Sequence, residues 1–326
     1  MQRLRAGRVS IVRPAALFFV PVRILGAGLS VSLRRGIFFG KRRRRERAAG
    51  ARKRKAEIVM ISIDQKRCIG CGQCVRDCFP EDILLRDGKA VPKNEKCFEC
   101  GHCVAVCPVN AVSLNGYDMS EVQELEETGA KVDPQAFLDL MKSRRSIRQF
   151  RDTPVTDSQL EMILEAGRYA PTGGNRQNVA YTVIRQDLPR VREQLIRQLG
   201  AAGRKMLEEG RRASFYTDMW LDMERDYREN GKDRLFFNAG TVILVSSDDP
   251  ISAGVASAHM ETMVYSLGLG MLYSGFSRFA VEGSGEIRKE LGIRDDYHVH
   301  TVLVIGTPAV KFRRTVPRKK AEVTYR

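Results

Sequence analysis

The sequence predicts an α+β protein, with a small cysteine-rich part followed by a larger part in which helices interleave with a few strands. Three observations carry this expectation. All eight cysteines of the chain fall into two runs of identical spacing. From residue 134 onward, capped amphipathic segments alternate with short apolar ones, which is the pattern of a mixed helix–sheet layer. The strong positive charge is confined to the first 59 residues, so it describes a leader and not a folded surface. At 326 residues and 43% hydrophobic content, the chain is long enough for two domains with a sizeable core.

Residues 1–59 hold 17 Lys and Arg against Glu46 and Glu57, a net charge of +15. The remainder holds 38 basic and 37 acidic residues, a net of +1, and therefore predicts no nucleic-acid-binding face. Ala15–Val20 is apolar, but Pro21 and Arg23 interrupt it. No stretch of the leader reaches the roughly 18 apolar residues of a membrane span. Met60 stands directly before Ile61-Ser62-Ile63-Asp64, which reads as an opening strand. Three readings of the leader stay open: translated upstream DNA with the true start at Met60, a disordered basic tail, or a targeting segment.

The cysteine runs follow. Cys68, Cys71, Cys74 and Cys78 form the first, and Cys97, Cys100, Cys103 and Cys107 the second, each residue 29 positions from its counterpart. Each run reads C-x-x-C-x-x-C-x-x-x-C. Four thiolates on a tight loop suit a cubane iron–sulfur cluster, and the doubled run suits two. A zinc site usually pairs two separated C-x-x-C knuckles. A disulfide framework needs an oxidising compartment, and reduced thiols fit a cytoplasmic protein.

Residues 60–117 thus resemble the two-cluster 4Fe–4S ferredoxins. Pro108 directly follows Cys107 as in that family, whereas Phe79 separates Cys78 from Pro80. In the family the fourth cysteine of each run crosses to the other cluster. The resemblance therefore implies one cluster on Cys68, Cys71, Cys74 and Cys107, and another on Cys97, Cys100, Cys103 and Cys78.

Residues 118–133 are acidic and polar and read as a linker or a short helix. Asp133-Pro134 is a helix start, with Asp as N-cap and Pro at the first position. Thr156-x-x-Gln159 is a capping box for a second helix. Strands are expected at 181–185, 241–246 and 301–305. The helix expected at 251–267 is rich in small residues. Residues 201–235 read as a charged helical excursion, with Phe215, Tyr216 and Trp220 as either a substrate lid or ordinary packing. His259 reads as a packed, hydrogen-bonded histidine and not a catalytic one.

Three stretches of the larger part supply donors for an anion and a flat ring. They are Arg144-Arg145-Ser146-Ile147-Arg148, then Ala170-Pro171-Thr172-Gly173-Gly174-Asn175-Arg176-Gln177, then Lys311-Phe312-Arg313-Arg314. Guanidinium forks and a hydroxyl suit a phosphate, and glycines and side-chain amides suit a heterocycle. In this order, with Ser266–Gly270 and Gly306-Thr307-Pro308-Ala309, they resemble the nitroreductase family of FMN flavoproteins over residues 134–326. Asn178 and Asn238-Ala239-Gly240 depart from the family's usual proline positions.

That resemblance implies FMN as a cofactor. Arg144, Arg145, Ser146, Arg148, Lys311, Arg313 and Arg314 would hold its phosphate and ribityl chain. Pro171, Thr172, Gly173, Gly174, Asn175 and Gln177 would line the ring, with Ser274 and Gly275 at its N5 edge. No catalytic residue is singled out. Together the two resemblances imply an N-terminal ferredoxin-type double-cluster domain followed by a nitroreductase-like FMN-binding α+β domain. The expected enzyme is a cytoplasmic, homodimeric oxidoreductase in which two 4Fe–4S clusters feed FMN. It would take electrons from reduced ferredoxin, another low-potential donor or NAD(P)H, and reduce a small organic acceptor. The alternative is a relay protein without a substrate of its own.

Overall fold

The cysteine-rich part is a pseudo-two-fold built on the 29-residue repeat. The computed structural model describes residues 60–125, 132–210 and 215–326. The expected leader lies outside them, as does part of the expected linker. The first half contributes β1 (Ile61–Ile63), α1 (Gln73–Arg76) and β2 (Ile83–Arg86). The second contributes β3 (Lys89–Pro92), α2 (His102–Ala105) and β4 (Val112–Leu114). Strands pair antiparallel across the halves, β1 with β4 and β2 with β3. The register obeys the repeat: Ile61 faces Leu114, and the positions 29 residues away, Ala90 and Leu85, also face each other. Backbone bonds cross in the same way. Asp64 donates to the Ala111 carbonyl and Lys93 to that of Asp82, both at 2.8 Å. Ile61, Ile83, Ala90, Val112 and Leu114 fill the small core between the cysteines.

The larger part opens with α3 (Pro134–Ser143) and α4 (Asp157–Arg168). Both caps form as the sequence predicts. Asp133 Oδ1 accepts from the Ala136 amide at 2.6 Å, and Thr156 and Gln159 make a reciprocal capping box. Next come β5 (Val179–Ile184), α5 (Leu188–Glu208), α6 (Phe215–Asn230), β6 (Thr241–Ser247) and α7 (Pro250–Ser266). The chain ends with β7 (Gly270–Tyr273), α8 (Gly275–Glu282), α9 (Gly285–Glu290), β8 (His298–Gly306) and an extended tail. The sheet order is β5-β6-β8-β7, antiparallel throughout.

Helices cover both faces of this sheet. Val242, Leu244, Val302 and Val304 point into a core shared with α5, α6 and α8. Ile243, Val245, Leu303 and Ile305 point the other way, onto α4 and α7. This period-two alternation explains why β6 and β8 read as continuous apolar runs: a strand covered on both faces needs no polar side. The expected excursion at 201–235 is instead the end of the 21-residue α5 with α6 packed along it. Trp220 and Met223 anchor α6 in the core, whereas Phe215 and Tyr216 are exposed. His259 is exposed on α7, not packed, because that helix buries the stripe of Ala253, Ala256, Met260 and Val264. No helix among the described residues is long and apolar enough to cross a membrane.

Candidate functional site

The described residues belong to one compact unit, and in it the eight thiols divide into two groups of four. Cys68, Cys71, Cys74 and Cys107 border one pocket, together with Ile63, Ala90 and Val112. Cys78, Cys97, Cys100 and Cys103 border a second, together with Ile61, Pro80 and Leu114. The strand exchange between halves produces this partition, because it folds the fourth cysteine of each run against the other run. All eight are free thiols. Zinc requires thiolates converging on one point at about 2.3 Å. Among the described residues no group of three or more His, Cys, Asp or Glu side chains is arranged to hold a single metal ion.

The cavities also offer donors to sulfur. The amide of Asp82 points to Cys78 Sγ at 3.3 Å, and the repeat-related amide of Ala111 points to Cys107 Sγ at 3.2 Å. The Glu99 amide points to Cys97 Sγ at 3.3 Å. Such bonds stabilise negative charge on cluster sulfurs. Burial pushes the Cys74 and Cys97 thiols up, and Cys103 up to about 12. A bound iron–sulfur group supplies the charge that keeps such buried thiols deprotonated. The residues present therefore fit two four-thiolate clusters.

Asp82 is fully buried and was not foreseen as part of this site. Its Oδ1 accepts from the amides of Glu95 and Lys96 at 3.0 and 3.1 Å, and so shapes the loop leading into Cys97. In the first half Asp64 does this for its own loop, accepting from Lys66 and Arg67. Lys93 stands where the second half would need that aspartate, so Asp82 performs the role from across the pseudo-axis. A comparison of positions 64 and 93 was the available signal.

In the larger part, the segments that flank the first and third basic stretches come together at residues 149–151 and 307–309. Residues 146–151 run along the sheet edge beyond β7. Ser146 bridges Met271 in parallel, and the Ile147 amide donates to the Met271 carbonyl at 3.0 Å. Phe150 then bridges Pro308, and Arg151 donates to Thr307 at 2.8 Å. Glycine is required at two points of this approach. A Cβ on Gly270 would meet Ile147 at 2.5 Å, and one on Gly306 would meet Phe150 at 2.8 Å. The Tyr265 hydroxyl pins the segment by donating to the Arg145 carbonyl.

The side chains there are short of partners. Arg145 Nε and Nη2 are buried without a hydrogen bond. Arg148, Lys311, Arg313 and Arg314 are exposed and make no ion pair among the described residues. Arg144 pairs with Glu261 at 3.4 Å, while burial pushes that carboxyl above its usual range. An orphaned buried guanidinium on the first stretch, with four cations free of ion pairs on the first and third, fits a phosphate-bearing cofactor, because an anion would satisfy the buried N–H groups.

The second stretch is joined to neither basic stretch by a hydrogen bond among the described residues. It forms a tight turn in which Gly174, Asn175 and Gln177 have positive φ, closed by the Gln177 amide on Thr172 Oγ1 at 2.9 Å. Pro171 and Gly173 are exposed on it, and Arg176 is tied to Asp248. Its polar groups face the cysteine part. Asn175 Nδ2 donates to the carbonyls of Phe98 and Glu99 at 3.4 and 2.9 Å. Gln177 Nε2 donates to the Tyr117 hydroxyl at 3.1 Å, and that hydroxyl donates to Glu99 Oε2 at 3.1 Å. Ser274 is buried, its hydroxyl used to cap α8, whose first residue is Gly275.

Comparison with known proteins assigns both parts. Residues 141–307, just over half of the chain, match the model of the nitroreductase family. The chain belongs to the nitroreductase family. Residues 60–124 match the 4Fe-4S dicluster domain. An NADPH-dependent oxidoreductase of Staphylococcus saprophyticus is 26% identical over 45% of this chain and 56% of its own. A ferredoxin of Pyrobaculum islandicum is 44% identical over 18% of this chain and 55% of its own. The chain thus spans little more than half the length of either relative. A nitroreductase of Bacteroides fragilis, solved with bound FMN, aligns with a TM-score of 0.48 at 18% identity, covering 60% of this chain and 100% of that one. The nitroreductase-family part is therefore preceded by a dicluster part, as both sequence resemblances imply.

Proposed function

We propose that the chain is an iron–sulfur flavoprotein oxidoreductase that collects single electrons and reduces a small organic acceptor, such as a nitro compound, by hydride transfer. Two 4Fe–4S clusters would supply one-electron carriers, and FMN a carrier that stores two electrons and delivers a hydride. Cys68, Cys71, Cys74 and Cys107 hold one cluster; Cys78, Cys97, Cys100 and Cys103 hold the other. Arg145, Arg148, Arg313 and Arg314 hold the FMN phosphate, and the 171–177 turn lines its ring. One observation carries the reading: the turn assigned to the flavin ring is hydrogen-bonded, through Asn175, to the loop between Cys97 and Cys100.

The exposed small residues Gly254 and Ala258 of α7 support a homodimer, since small side chains let two helices approach closely. Eight cysteines in cluster-ligand spacing, and none in a pattern that needs disulfides, support a reducing, cytoplasmic setting.

The test is turnover of a nitroaromatic acid by the anaerobic full chain, with reduced ferredoxin and NADPH as rival donors. Ferredoxin-driven reduction of the acceptor is expected. Electron uptake with no acceptor turnover would leave a relay protein instead. Arg148→Ala should weaken FMN binding about tenfold or more, since a charge-assisted hydrogen bond is worth about 1.5–3 kcal/mol. Unchanged FMN occupancy would remove Arg148 from the site.

A further inference from the structure

The repeat places two alike loops on the two sides of the cysteine part, and only one is taken. Phe98 and Glu99 of the second loop give their carbonyls to Asn175, and the Glu99 side chain is held by Tyr117. Their counterparts, Ile69 and Gly70, receive nothing from the larger part. Ile69 is 61% exposed, against 40% for Phe98. The contacts of the first loop come from within the cysteine part: Lys89 Nζ of the second half donates to the Cys68 carbonyl, and Arg76 Nη1 of the first half to the Cys71 carbonyl at 3.3 Å.

Charge separates the loops further. Lys66, Arg67, Arg76 and Arg86 surround the first, all exposed. Their counterparts 29 residues on are Glu95, Lys96, Ala105 and Asn115. The turn at Asp87-Gly88 abuts Gly70, so Arg86 and Lys89 lie beside the loop. Of the exposed acids nearby, two have partners within the cysteine part. Asp64 accepts from the amides of Lys66 and Arg67, and Asp77 pairs with His102 at 3.1 Å; Asp87 is exposed in the turn.

We propose that the first cysteine loop, with Ile69 at its centre and Lys66, Arg67, Arg76 and Arg86 as its rim, is the docking surface for an acidic one-electron donor protein. The second loop faces inward to the 171–177 turn. This rests on the proposed function, in which the cysteine part feeds the flavin part. An apolar centre within a charged rim is the general anatomy of a transient interface, and the rim sets encounter rate and salt dependence. Each encounter moves one electron: the donor is oxidised by one, the chain is reduced by one, and no bond forms or breaks. Two encounters supply one two-electron reduction of the acceptor.

The test uses the anaerobic full chain and, as probe, a purified acidic two-cluster bacterial ferredoxin. Lys66→Glu/Arg67→Glu/Arg86→Glu should raise the KM for the reduced probe about tenfold or more at low salt and abolish its rise with ionic strength. Lys93→Glu/Lys96→Glu, on the second half, should change KM less than about twofold. Reduction by dithionite and the iron, sulfide and flavin contents should stay unchanged in both. If the triple variant loses iron, Arg86→Glu alone should still raise KM severalfold. Equal KM in wild type and triple variant, equal effects of the two variants, or no binding of the probe to wild type would overturn the docking surface. Absence of clusters or flavin from the wild type would instead overturn the proposed function.

Discussion

At one pair of positions in the cysteine part, the first half has Gly70 and Gly88, and the second has Glu99 and Tyr117. The glycines meet backbone to backbone: a Cβ on Gly70 would lie 1.9 Å from the Gly88 carbonyl oxygen. Glu99 and Tyr117 meet side chain to side chain at 3.1 Å. Glu99 keeps the left-handed conformation of its counterpart, with φ 54° against 67°. That conformation costs a non-glycine residue about 1–2 kcal/mol. The bonds from Asn175 and Tyr117 offset it, at about 1 kcal/mol each. Sulfur-facing geometry is thus shared between halves, as in the amides of Asp82 and Ala111, while outward positions diverge according to what they touch. A duplicated unit can in this way serve two unlike neighbours without changing its ligands.

The largest expected effect breaks one half at a time. Cys71→Ser and Cys100→Ser should each reduce iron from about eight to about four per chain. Collapse of both sets after either change would mean that the halves fold only together. Next, Gly70→Ala should lower stability by about 3 kcal/mol, since the new methyl meets backbone in a left-handed residue. Glu99→Ala, at the equivalent position with only side-chain partners, should cost about 1 kcal/mol. Urea-induced loss of cluster absorbance would measure both, and equal midpoints would contradict the asymmetry. A smaller contrast is expected at the second pair: Asp82→Ala should cost about 2 kcal/mol, because it strips two amides of a buried acceptor. Asp64→Ala, which does the same to an exposed loop, should cost about 0.5 kcal/mol.

Much of this was legible in the residues. Identical cysteine spacing imposes identical local turns, so the partition into two groups of four followed once strands exchanged between halves. Asp133 and Thr156 marked their helices because capping is local chemistry. The strand cores at 181, 241 and 301 were visible as apolar runs, with ends shifted by a few residues. What was not legible depends on distant contacts. β7, α8 and α9 are short, and their periodicity covers too few residues to stand out. The first half of α5 was missed because its apolar stripe at Val191, Leu195 and Leu199 is broken by charged neighbours. His259 was misplaced because a helix rich in small residues does not reveal which face is buried. Asp82 and Tyr117 belong to no motif. Their roles arise from the pseudo-axis and from the contact with the 171–177 turn, neither of which local sequence encodes.

The most direct measurement of the central claim is the cofactor content of the full chain, purified and reconstituted without oxygen. The account predicts about eight irons, about eight labile sulfides and one FMN per chain. Zinc in place of iron, four irons from a single occupied cavity, or a chain that binds its iron yet holds no flavin would contradict it.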